Sequence, residues 1–304
     1  MVGPSPLETA IADTAAQTAF PAAAAMVDHL KATYGSGVRA VVFYGSCLRL
    51  GTDENLMLDF YVLVDRLGPA IGNPVSAAFG ALLPPNVYYH ECLFESRVVR
   101  AKVAVMTLGA FARGTSDTAF ASALWARFAQ PASIVYAADA VARTAAEKAL
   151  RRAVLTLIQK TVPLMHGPFA VRDLWVTAFR ATYKAELRPE PESKADELVD
   201  QQLDWFERVG TAALTELGID PAAAAASQSN AAWSWRFRRG WGRTLNVLRL
   251  VKAAFTFQGG LDYAVWKIER HSGVKIELTA RERAHPVITG ARLLLKTKRR
   301  GGLN

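Results

Sequence analysis

The stretch VVFYGSCLRLGTDENLMLDFYVLVD, residues 41–65, decides the fold. Its first four residues predict a buried strand that ends at Gly45-Ser46. A polar loop follows, and residues 56–64 form a second apolar run that is interrupted only by Asp59. Because a lone carboxylate is costly to bury, we expect Asp59 to face a cleft, a cation or a partner. This succession predicts an α/β domain with a polar site beside its first two strands.

The Gly-Ser turn and the carboxylate together favour the transfer of a nucleotidyl group. Gly45 lets the backbone approach a triphosphate, and the Ser46 hydroxyl can donate to its oxygens. Asp59, thirteen residues after Ser46, is placed to hold Mg²⁺, which neutralises phosphate charge during an in-line displacement. The alternative is a structural Gly-Ser turn of any α/β protein, with Asp59 in an ion pair.

Tyr61 lies where the broad nucleotidyltransferase superfamily usually has a second acid. A second metal ligand must then come from elsewhere, and the candidates are Asp65 and Glu91, each of which also fits a solvated strand residue. The few acids favour a phosphate acceptor, because a phosphate monoester with a second pKa of about 6 needs no strong general base. The basic residues assigned to the triphosphate or the acceptor phosphate are Lys102, Arg127 and Lys184. A solvated surface role is the alternative for each of them.

The remaining pattern divides the chain into a mixed sheet and a mainly helical part. Strands are predicted over 86–94 and 97–106, which join the first two strands in one sheet. Helices are predicted over 21–34, 118–128, 140–162, 171–184 and 195–217. An Ala/Ser-rich segment, 221–230, indicates a linker or a poorly fixed loop. We therefore expect a nucleotidyltransferase-like domain over 1–115, a helical substrate domain over 116–220 and a basic amphipathic C-terminal region over 231–304.

The composition favours an anionic partner in a reducing compartment. Of the 304 residues, 36 are Lys or Arg and 27 are Asp or Glu, which gives a formal charge of +9. Many basic residues lie between 236 and 300, which suits nucleic acid, a lipid surface or a phosphorylated substrate; ordinary solubilising charge is the alternative. The two cysteines, Cys47 and Cys92, form no metal-binding motif. We expect neither a signal peptide nor a membrane-spanning helix.

Residues 232–252 interleave apolar and basic side chains at helical spacing. The apolar members are Trp233, Trp235, Phe237, Trp241, Leu245, Val247 and Leu248, and the basic members are Arg236, Arg238, Arg239, Arg243, Arg249 and Lys252. This composition is typical of an interfacial helix on anionic lipid. A groove for single-stranded nucleic acid and a domain-packing helix with a cationic outer face are the alternatives. A second basic cluster, 293–300, also suits a lipid surface.

Three motifs stand out in the first half of the chain, and they are Phe43-Tyr44-Gly45-Ser46, Met57-Leu58-Asp59-Phe60 with Val64-Asp65, and Val87-Tyr88-Tyr89. Together they resemble the mitochondrial-type phosphatidate cytidylyltransferases of the nucleotidyltransferase superfamily. In that family too, the Asp is followed by Phe and an apolar residue, so the resemblance implies that no acid stands at Tyr61. Weaker similarity continues to residue 189 and includes Lys102, Arg127, Tyr183, Glu186 and Arg188. His90, Glu91 and a shortened stretch between 65 and 86 depart from the family pattern.

The resemblance implies transfer of a cytidylyl group from CTP to phosphatidate or a related lipid phosphate, with Mg²⁺ as cofactor, to give CDP-diacylglycerol and pyrophosphate. The implied roles are catalysis by Asp59 and Lys102, nucleotide binding by Tyr44, Gly45, Ser46 and Arg127, acceptor-phosphate binding by Lys184 and Arg188, and metal binding by Asp59, Asp65 and Glu91. The implied enzyme is cytoplasmic, serves phospholipid biosynthesis, lies peripherally on the inner face of the membrane and has no nucleic-acid partner. The rival hypotheses are a nucleotidyltransferase acting on RNA or protein and a catalytically inactive lipid- or nucleic-acid-binding protein of the same fold.

Overall fold

The strands form one mixed sheet. A computed structural model of the chain describes residues 3–54, 56–186, 191, 193–223 and 229–256. The strands are β1 (Val38–Tyr44), β2 (Leu58–Val64), β3 (Asn86–Phe94), β4 (Arg97–Thr107) and β5 (Ala132–Ala137). They are arranged in the order β3-β4-β2-β1-β5, in which β2 and β4 are parallel and the other neighbours are antiparallel. The predicted α/β class with a mixed sheet is therefore confirmed.

Helices cover both faces of this sheet. The helices before β3 are α1 (Pro6–Ala15), α2 (Pro21–Tyr34), α3 (Ser46–Leu50), α4 (Leu67–Ile71) and α5 (Pro74–Leu82). Those after β4 are α6 (Leu108–Gly114), α7 (Trp125–Phe128), α8 (Ala140–Thr161), α9 (Val171–Ala185), α10 (Ser193–Asp200), α11 (Leu203–Glu216) and α12 (Ser229–Thr256).

Successive strand residues point to opposite faces of the sheet, and each face buries its own core. Val41 and Phe43 of β1 pack with α2 in one core. Val42 of β1 and Leu63 of β2 pack in the other core, which also contains residues of α1, α8, α9 and α11. Because β1 and β2 are buried on both faces, each reads as a continuous apolar run rather than an alternating one. The exception in β2 is Asp59, whose surroundings define the site described below.

The predicted strands and most predicted helices agree with the structure, with three differences. The helix predicted over 118–128 is wrong except at its end, α7. At its predicted start, the Thr118 N–H donates to the Asp117 carboxylate at 3.0 Å, a local bond that competes with helix formation. The helix predicted over 195–217 is two helices, since Gln202 departs from helical dihedral angles at φ −140° and ψ 40°. Strand β5 was not expected.

Strand β5 follows the boundary predicted at residue 115, yet it pairs with β1 along the edge of the sheet. Helix α1, from the beginning of the chain, packs in the same core as α8 and α11. The sheet and the following helices therefore share one core. The division into domains over 1–115 and 116–220 stays a prediction. Residues 257–304, which include the predicted basic cluster 293–300, lie outside the described residues.

Helix α12 is fixed to the rest of the protein by one of its faces. Trp235 is only 3% exposed; its Nε1 donates to the Lys160 carbonyl at 2.9 Å, and its ring meets Trp125 edge to face. Near the end of α12, the Lys252 ammonium donates to the Pro85 carbonyl at 2.7 Å and to Asn86 Oδ1 at 2.9 Å. The prediction that Trp235 is one of the lipid-facing rings is wrong, because this ring is part of the core.

The opposite face of α12 is apolar and exposed. Trp233, Phe237 and Trp241 are 68%, 68% and 48% exposed, and their spacing of four residues places them along one side of the helix. The Arg236 guanidinium lies 5.0 Å from the centre of the Trp233 ring. None of the helices in the described ranges is both long and apolar enough to cross a bilayer. The exposed aromatic face, defined here as Trp233, Phe237 and Trp241, is used in the proposals below.

On the other side of the molecule, β3 and α2 enclose a hydrogen-bonded cluster of His90, His29 and Tyr34. The Tyr34 hydroxyl and His90 Nε2 are 2.9 Å apart, and His90 Nδ1 and His29 Nε2 are 3.4 Å apart. Burial, with a smaller contribution from His29, lowers the pKa of His90 to about 4 from its ordinary value of 6.5. The folded protein therefore holds this imidazole in its neutral form near neutral pH.

We expect the free energy of unfolding to fall as the pH is lowered from about 6.5 to 4. In that window the unfolded chain takes up a proton at His90 that the folded chain does not, so the slope is at most about 1.4 kcal/mol per pH unit. Above pH 6.5 this contribution is fully present. Urea unfolding at several pH values measures the slope, and His90→Gln should reduce it. An identical slope in parent and variant contradicts this assignment.

Candidate functional site

Four polar or aromatic residues lie side by side across the sheet. Tyr44 of β1 is opposite Asp59 of β2, Asp59 is opposite Lys102 of β4, and Lys102 is opposite Tyr89 of β3. Residues opposite one another on neighbouring strands project from the same face and are about 5 Å apart. The register of three strand pairs therefore places the Asp59 carboxylate beside the Lys102 ammonium and at the end of β1, where the Gly-Ser turn begins.

Gly45 fits this position for a steric reason. Its φ is +89°, a conformation that side chains rarely adopt, and a Cβ there would lie 2.9 Å from Asp59 Oδ2. The turn and the carboxylate are thus in close contact, and any other residue at 45 would have to displace one of them. Ser46 follows as the first residue of α3, so its hydroxyl and the glycine backbone lie next to the carboxylate.

A cavity of about 480 Å³ opens over this group. Its walls include six of the predicted site residues, and these are Tyr44, Gly45, Ser46, Asp59, Lys102 and Arg127. Further polar side chains in its wall are Arg49, Gln130, Tyr183, Glu186, Lys194 and Gln201. Among the described residues of the wall, four basic side chains thus face two carboxylates, Asp59 and Glu186. Such a balance favours an anionic ligand.

Asp65, Lys184 and Glu91 do not line this cavity. Asp65 lies at the opposite end of β2, six residues or about 20 Å from Asp59, and forms an ion pair with Arg39 at 3.7 Å. The two carboxylates cannot hold one ion, so Asp65 as a co-ligand of Asp59 is wrong. Lys184 is on the exposed surface of α9 and does not line the cavity. Arg188 lies outside the described residues.

Glu91 also fails as a partner of Asp59. Its carboxylate accepts hydrogen bonds from the Tyr89 hydroxyl at 2.6 Å and from Arg100 Nε at 3.1 Å. It lies two strands away from Asp59, beyond Lys102, and does not line the cavity. The prediction that Glu91 shares the metal with Asp59 is therefore wrong. Glu91 is therefore bound to the Arg100 guanidinium rather than placed to hold a metal ion.

Tyr61 uses its hydroxyl to position a cation. Arg127 Nη1 donates to the Tyr61 hydroxyl at 2.8 Å, and the guanidinium carbon is 5.6 Å from the Tyr44 ring centre and 5.9 Å from that of Tyr61. Although burial opposes the charge, Tyr61, Tyr44 and Glu186 together raise the pKa of Arg127 above its ordinary value. Tyr61 thus holds a guanidinium in the cavity wall.

We expect Tyr61→Phe to weaken the binding of pyrophosphate about tenfold, the effect of one lost hydrogen bond to a charged group. The phenyl ring keeps the packing, so only the hold on Arg127 is lost. Isothermal titration with pyrophosphate and Mg²⁺ measures the affinity. Tyr136→Phe, on β5 and outside the cavity wall, is the matched control. An unchanged affinity in Tyr61→Phe rules out the positioning role.

Near the turn, the surroundings of the Arg49 guanidinium and of the Cys47 thiol set their protonation states. Burial lowers the pKa of Arg49 from its ordinary value of 12.5, against the raising effects of Tyr183 and Asp59; an arginine remains charged in such surroundings. Burial, followed by the negative charge of Asp59, raises the pKa of Cys47 to about 12. The Cys47 thiol donates to the Met57 carbonyl at 3.2 Å. Cys47 is therefore a neutral structural thiol and not a nucleophile.

The donor set fits Mg²⁺ that arrives with phosphates. In the described part of the chain, no group of three or more His, Cys, Asp or Glu side chains is arranged to hold a metal ion. Mg²⁺ is commonly bound by one or two carboxylates together with substrate phosphates and water. Asp59 and Glu186 are the two carboxylates in the described wall of the cavity, which is the number that Mg²⁺ commonly uses. Because Asp59 contacts Gly45, backbone atoms also lie close to the Asp59 carboxylate.

Sequence reasoning assigned no role to several residues of the cavity wall. Arg49 was available from the sequence, because it lies one helical turn after Ser46 and so on the same side of α3. Glu186 was noted in a family-like segment without a role. Lys194 of α10 and Gln201, the residue after α10, carry no local signal, since only the packing of α10 on α9 brings them to the cavity.

Comparisons of the sequence with known proteins do not assign a function to this cavity. Comparison of the sequence with known protein families finds none that matches, and no curated protein matches it either. The resemblance to the mitochondrial-type phosphatidate cytidylyltransferases therefore rests on the motif residues alone. What the site can do must be argued from its own geometry.

Proposed function

We propose that this protein is a nucleotidyltransferase that transfers a cytidylyl group from CTP to phosphatidate or a related lipid phosphate, with release of pyrophosphate. The observation that carries the proposal is the contact between Asp59 and Gly45 in a cavity that also contains Arg49, Lys102 and Arg127. The mixed sheet with this site beside the β1–α3 turn supports a nucleotidyltransferase-type domain over the first part of the chain.

The basic side chains of the cavity suit a triphosphate. Lys102 lies opposite Asp59 on the neighbouring strand, and Arg49 follows Ser46 on α3. Arg127 is held by its hydrogen bond to the Tyr61 hydroxyl. Cations placed where charge accumulates stabilise the transition state and fix the reacting atoms, which is the main contribution that a protein makes to phosphoryl and nucleotidyl transfer. Tyr44, whose ring contacts Arg127, lines the same wall.

Asp59 and Glu186 are the side chains that would hold Mg²⁺. When bound, the ion neutralises charge on the nucleotide phosphates and steadies the leaving pyrophosphate. Gly45 keeps the backbone close to Asp59, and the Ser46 hydroxyl is available to a phosphate oxygen. These residues thus orient the nucleotide, and the cations around them attract its phosphates into the cavity.

The acceptor is a phosphate because the cavity lacks a strong base. Its described wall contains two carboxylates and no histidine, and Cys47 stays neutral. A phosphate monoester with a second pKa of about 6 is already ionised near neutral pH. One of its oxygens attacks the α-phosphorus, the bond from that phosphorus to the bridging oxygen breaks, and pyrophosphate carries away the electron pair. A hydroxyl acceptor would need a base to take its proton.

Both the cytidine and the lipid acceptor of this proposal follow from the motif resemblance. The exposed aromatic face of α12 also supports the lipid acceptor. The exposed rings are those of Trp233, Phe237 and Trp241, and the Arg236 guanidinium lies over the Trp233 ring. An interfacial helix presents the same combination of rings and charge to a membrane. The proposal therefore includes peripheral attachment to the inner face of a membrane. RNA- or protein-directed transfer and an inactive binding protein are the competing outcomes.

Labelled turnover separates these outcomes. CTP labelled at the α-phosphate is incubated with the full chain, Mg²⁺ and either phosphatidate vesicles, single-stranded RNA, a mixture of soluble proteins or no acceptor. We expect label in the lipid phase and released pyrophosphate with phosphatidate alone. Label on RNA or protein would replace the acceptor class, and absence of label with all four would leave only a binding function. ATP, GTP and UTP in parallel establish the nucleotide preference.

A further inference from the structure

A second cavity, of about 320 Å³, lies between α5, α6, α12 and the segment that precedes α7. Most of its described wall is apolar and consists of small residues, chiefly alanine, together with Pro84, Phe120 and Leu124. Arg113 and Arg249 complete the described wall, and no acidic side chain belongs to it. A cavity that combines an apolar wall with two cations suits a ligand that has an apolar body and an anionic end.

Arg249 gives this cavity its polar character. The Nε of this residue is buried and has no hydrogen-bond partner among the described residues. Burial lowers the pKa of Arg249, Tyr61 and Glu186 raise it, and Arg127 lowers it. The guanidinium nevertheless keeps its charge. Because a buried charged donor without an acceptor is costly, an anion that accepts from Nε would stabilise the folded protein.

The edge of a guanidinium that carries Nε matches a carboxylate. The Nε–H and one Nη–H point in the same direction from this edge, so they can donate to the two oxygens of one carboxylate. Elsewhere in this protein, Arg172 binds the Asp200 carboxylate in this way, from Nε at 2.7 Å and from Nη2 at 2.9 Å. Since Nε of Arg249 donates to none of the described residues, the carboxylate of a ligand can occupy the same edge.

The size of the cavity limits the apolar part of such a ligand. Its volume is at the lower end of the range of about 300–1,000 Å³ that is typical of ligand pockets. This volume suits one hydrocarbon chain of moderate length better than the two chains of a diacyl lipid. The small residues of the wall leave the space for that chain, and the Phe120 ring adds an apolar surface to it.

We propose that the second cavity binds a medium-chain fatty acid, with the carboxylate on Arg249 and the hydrocarbon chain along the apolar wall. Arg113 of α6 adds a second positive charge to the same wall. The second cavity shares no described lining residue with the cavity over Asp59. The fatty-acid site is therefore a separate site, and this inference does not rest on the proposed nucleotidyl transfer.

The first test uses ligands that carry only part of the recognised chemistry. Isothermal titration measures the binding of octanoate, octanol and acetate to the full chain, each as a monomer in solution. Octanol lacks the carboxylate and acetate lacks the chain. We expect the parent to bind octanoate at least about tenfold more tightly than either, because the site contacts both parts of the fatty acid.

Arg249→Met tests the carboxylate contact. Methionine is apolar and unbranched, and the substitution removes a buried charge, so this variant should fold and be at least as stable as the parent. Its affinity for octanoate should fall at least about tenfold, whereas its affinity for octanol should stay the same. Arg152→Met, at an exposed position of α8 outside the described wall, is the matched control and should bind octanoate as the parent does.

Ala121→Phe tests the chain contact. The added ring occupies the apolar part of the cavity, so the affinities for octanoate and for octanol should both fall about tenfold. Ala24→Phe, on the exposed side of α2, is the matched control for the added ring. If Ala121→Phe does not fold, as judged by its circular dichroism, the Arg249→Met comparison decides alone.

Three results would overturn the inference. The first is a parent that does not bind octanoate, and the second is a parent that binds octanol as tightly as octanoate. The third is an affinity of Arg249→Met for octanoate that equals the affinity of the parent. Octyl phosphate is titrated in parallel, and tighter binding of octyl phosphate than of octanoate by the parent would reject the carboxylate as the recognised group.

Discussion

Asp59→Asn abolishes nucleotide turnover, by a factor of at least about 10³, while the protein remains folded. This is the expected result because the substitution removes the carboxylate charge that would hold Mg²⁺, and metal-based charge stabilisation is worth several kcal/mol in the transition state. Asparagine has nearly the same shape, so the contact with Gly45 survives without a cavity or a steric clash. Initial rates across a Mg²⁺ titration, with thermal unfolding of both proteins, measure the two parts of this prediction.

Asp65→Asn is the matched control for Asp59→Asn. It makes the same chemical change on the same strand, at the exposed end that pairs with Arg39. We expect this variant to retain the activity of the parent at every Mg²⁺ concentration. Equal activity of Asp59→Asn and the parent would remove Asp59 from the site, and loss of activity in Asp65→Asn would restore the metal role that the geometry denies to it.

Replacement of Trp233, Phe237 and Trp241 by serine reduces binding to phospholipid vesicles at least about 100-fold, for neutral and anionic vesicles alike. The rings are exposed on one face of α12, and burial of a large apolar side chain is worth about 1.5–3 kcal/mol. Salt does not screen this apolar contribution, so it remains at high ionic strength. Flotation with vesicles of phosphatidylcholine alone, and of phosphatidylcholine with phosphatidate, measures both cases.

Two controls limit the interpretation of the vesicle experiment. Phe79→Ser with Leu93→Ser removes two exposed apolar side chains elsewhere and should leave vesicle binding unchanged. Trp235→Ala is unsuitable, because it opens the core beside Trp125 at a cost of about 3–5 kcal/mol. A membrane role for α12 is refuted if the parent does not float with either vesicle at low salt. Retention of single-stranded RNA, with a steep loss of affinity as salt rises, would then support the RNA-directed alternative.

The charge of α12 has a smaller effect that depends on the lipid. Arg236→Gln should weaken binding to anionic vesicles only, because a basic residue near such a surface contributes about 1 kcal/mol. The same change at Arg238 has a structural cost as well, since its guanidinium donates to the Phe120 carbonyl at 2.9 Å. The two arginines are two residues apart in sequence, yet only Arg236 reports on the lipid surface alone.

The sequence by itself determined the local elements and the nucleus of the site. Strands β1 to β4 and helices α2, α8 and α9 were predicted within about three residues at their ends, because apolar periodicity and Gly or Pro breaks act within one segment. The same locality made Gly45, Ser46 and Asp59 predictable as a group. They lie in one strand-turn-strand unit, where a single carboxylate in an apolar run signals a polar neighbourhood.

The tertiary structure alone decided which distant residues join that nucleus. Six apolar residues at 132–137 have no periodicity that separates strand from helix, and their pairing with β1 makes them β5. Strand register placed Lys102 beside Asp59, kept Asp65 about 20 Å away and left Glu91 with Arg100. Packing of α9, α10 and α12 brought Glu186 and Lys194 to the cavity beside Asp59 and Trp235 into the core. These outcomes depend on contacts between segments far apart in the chain, whose energies no short stretch of sequence contains.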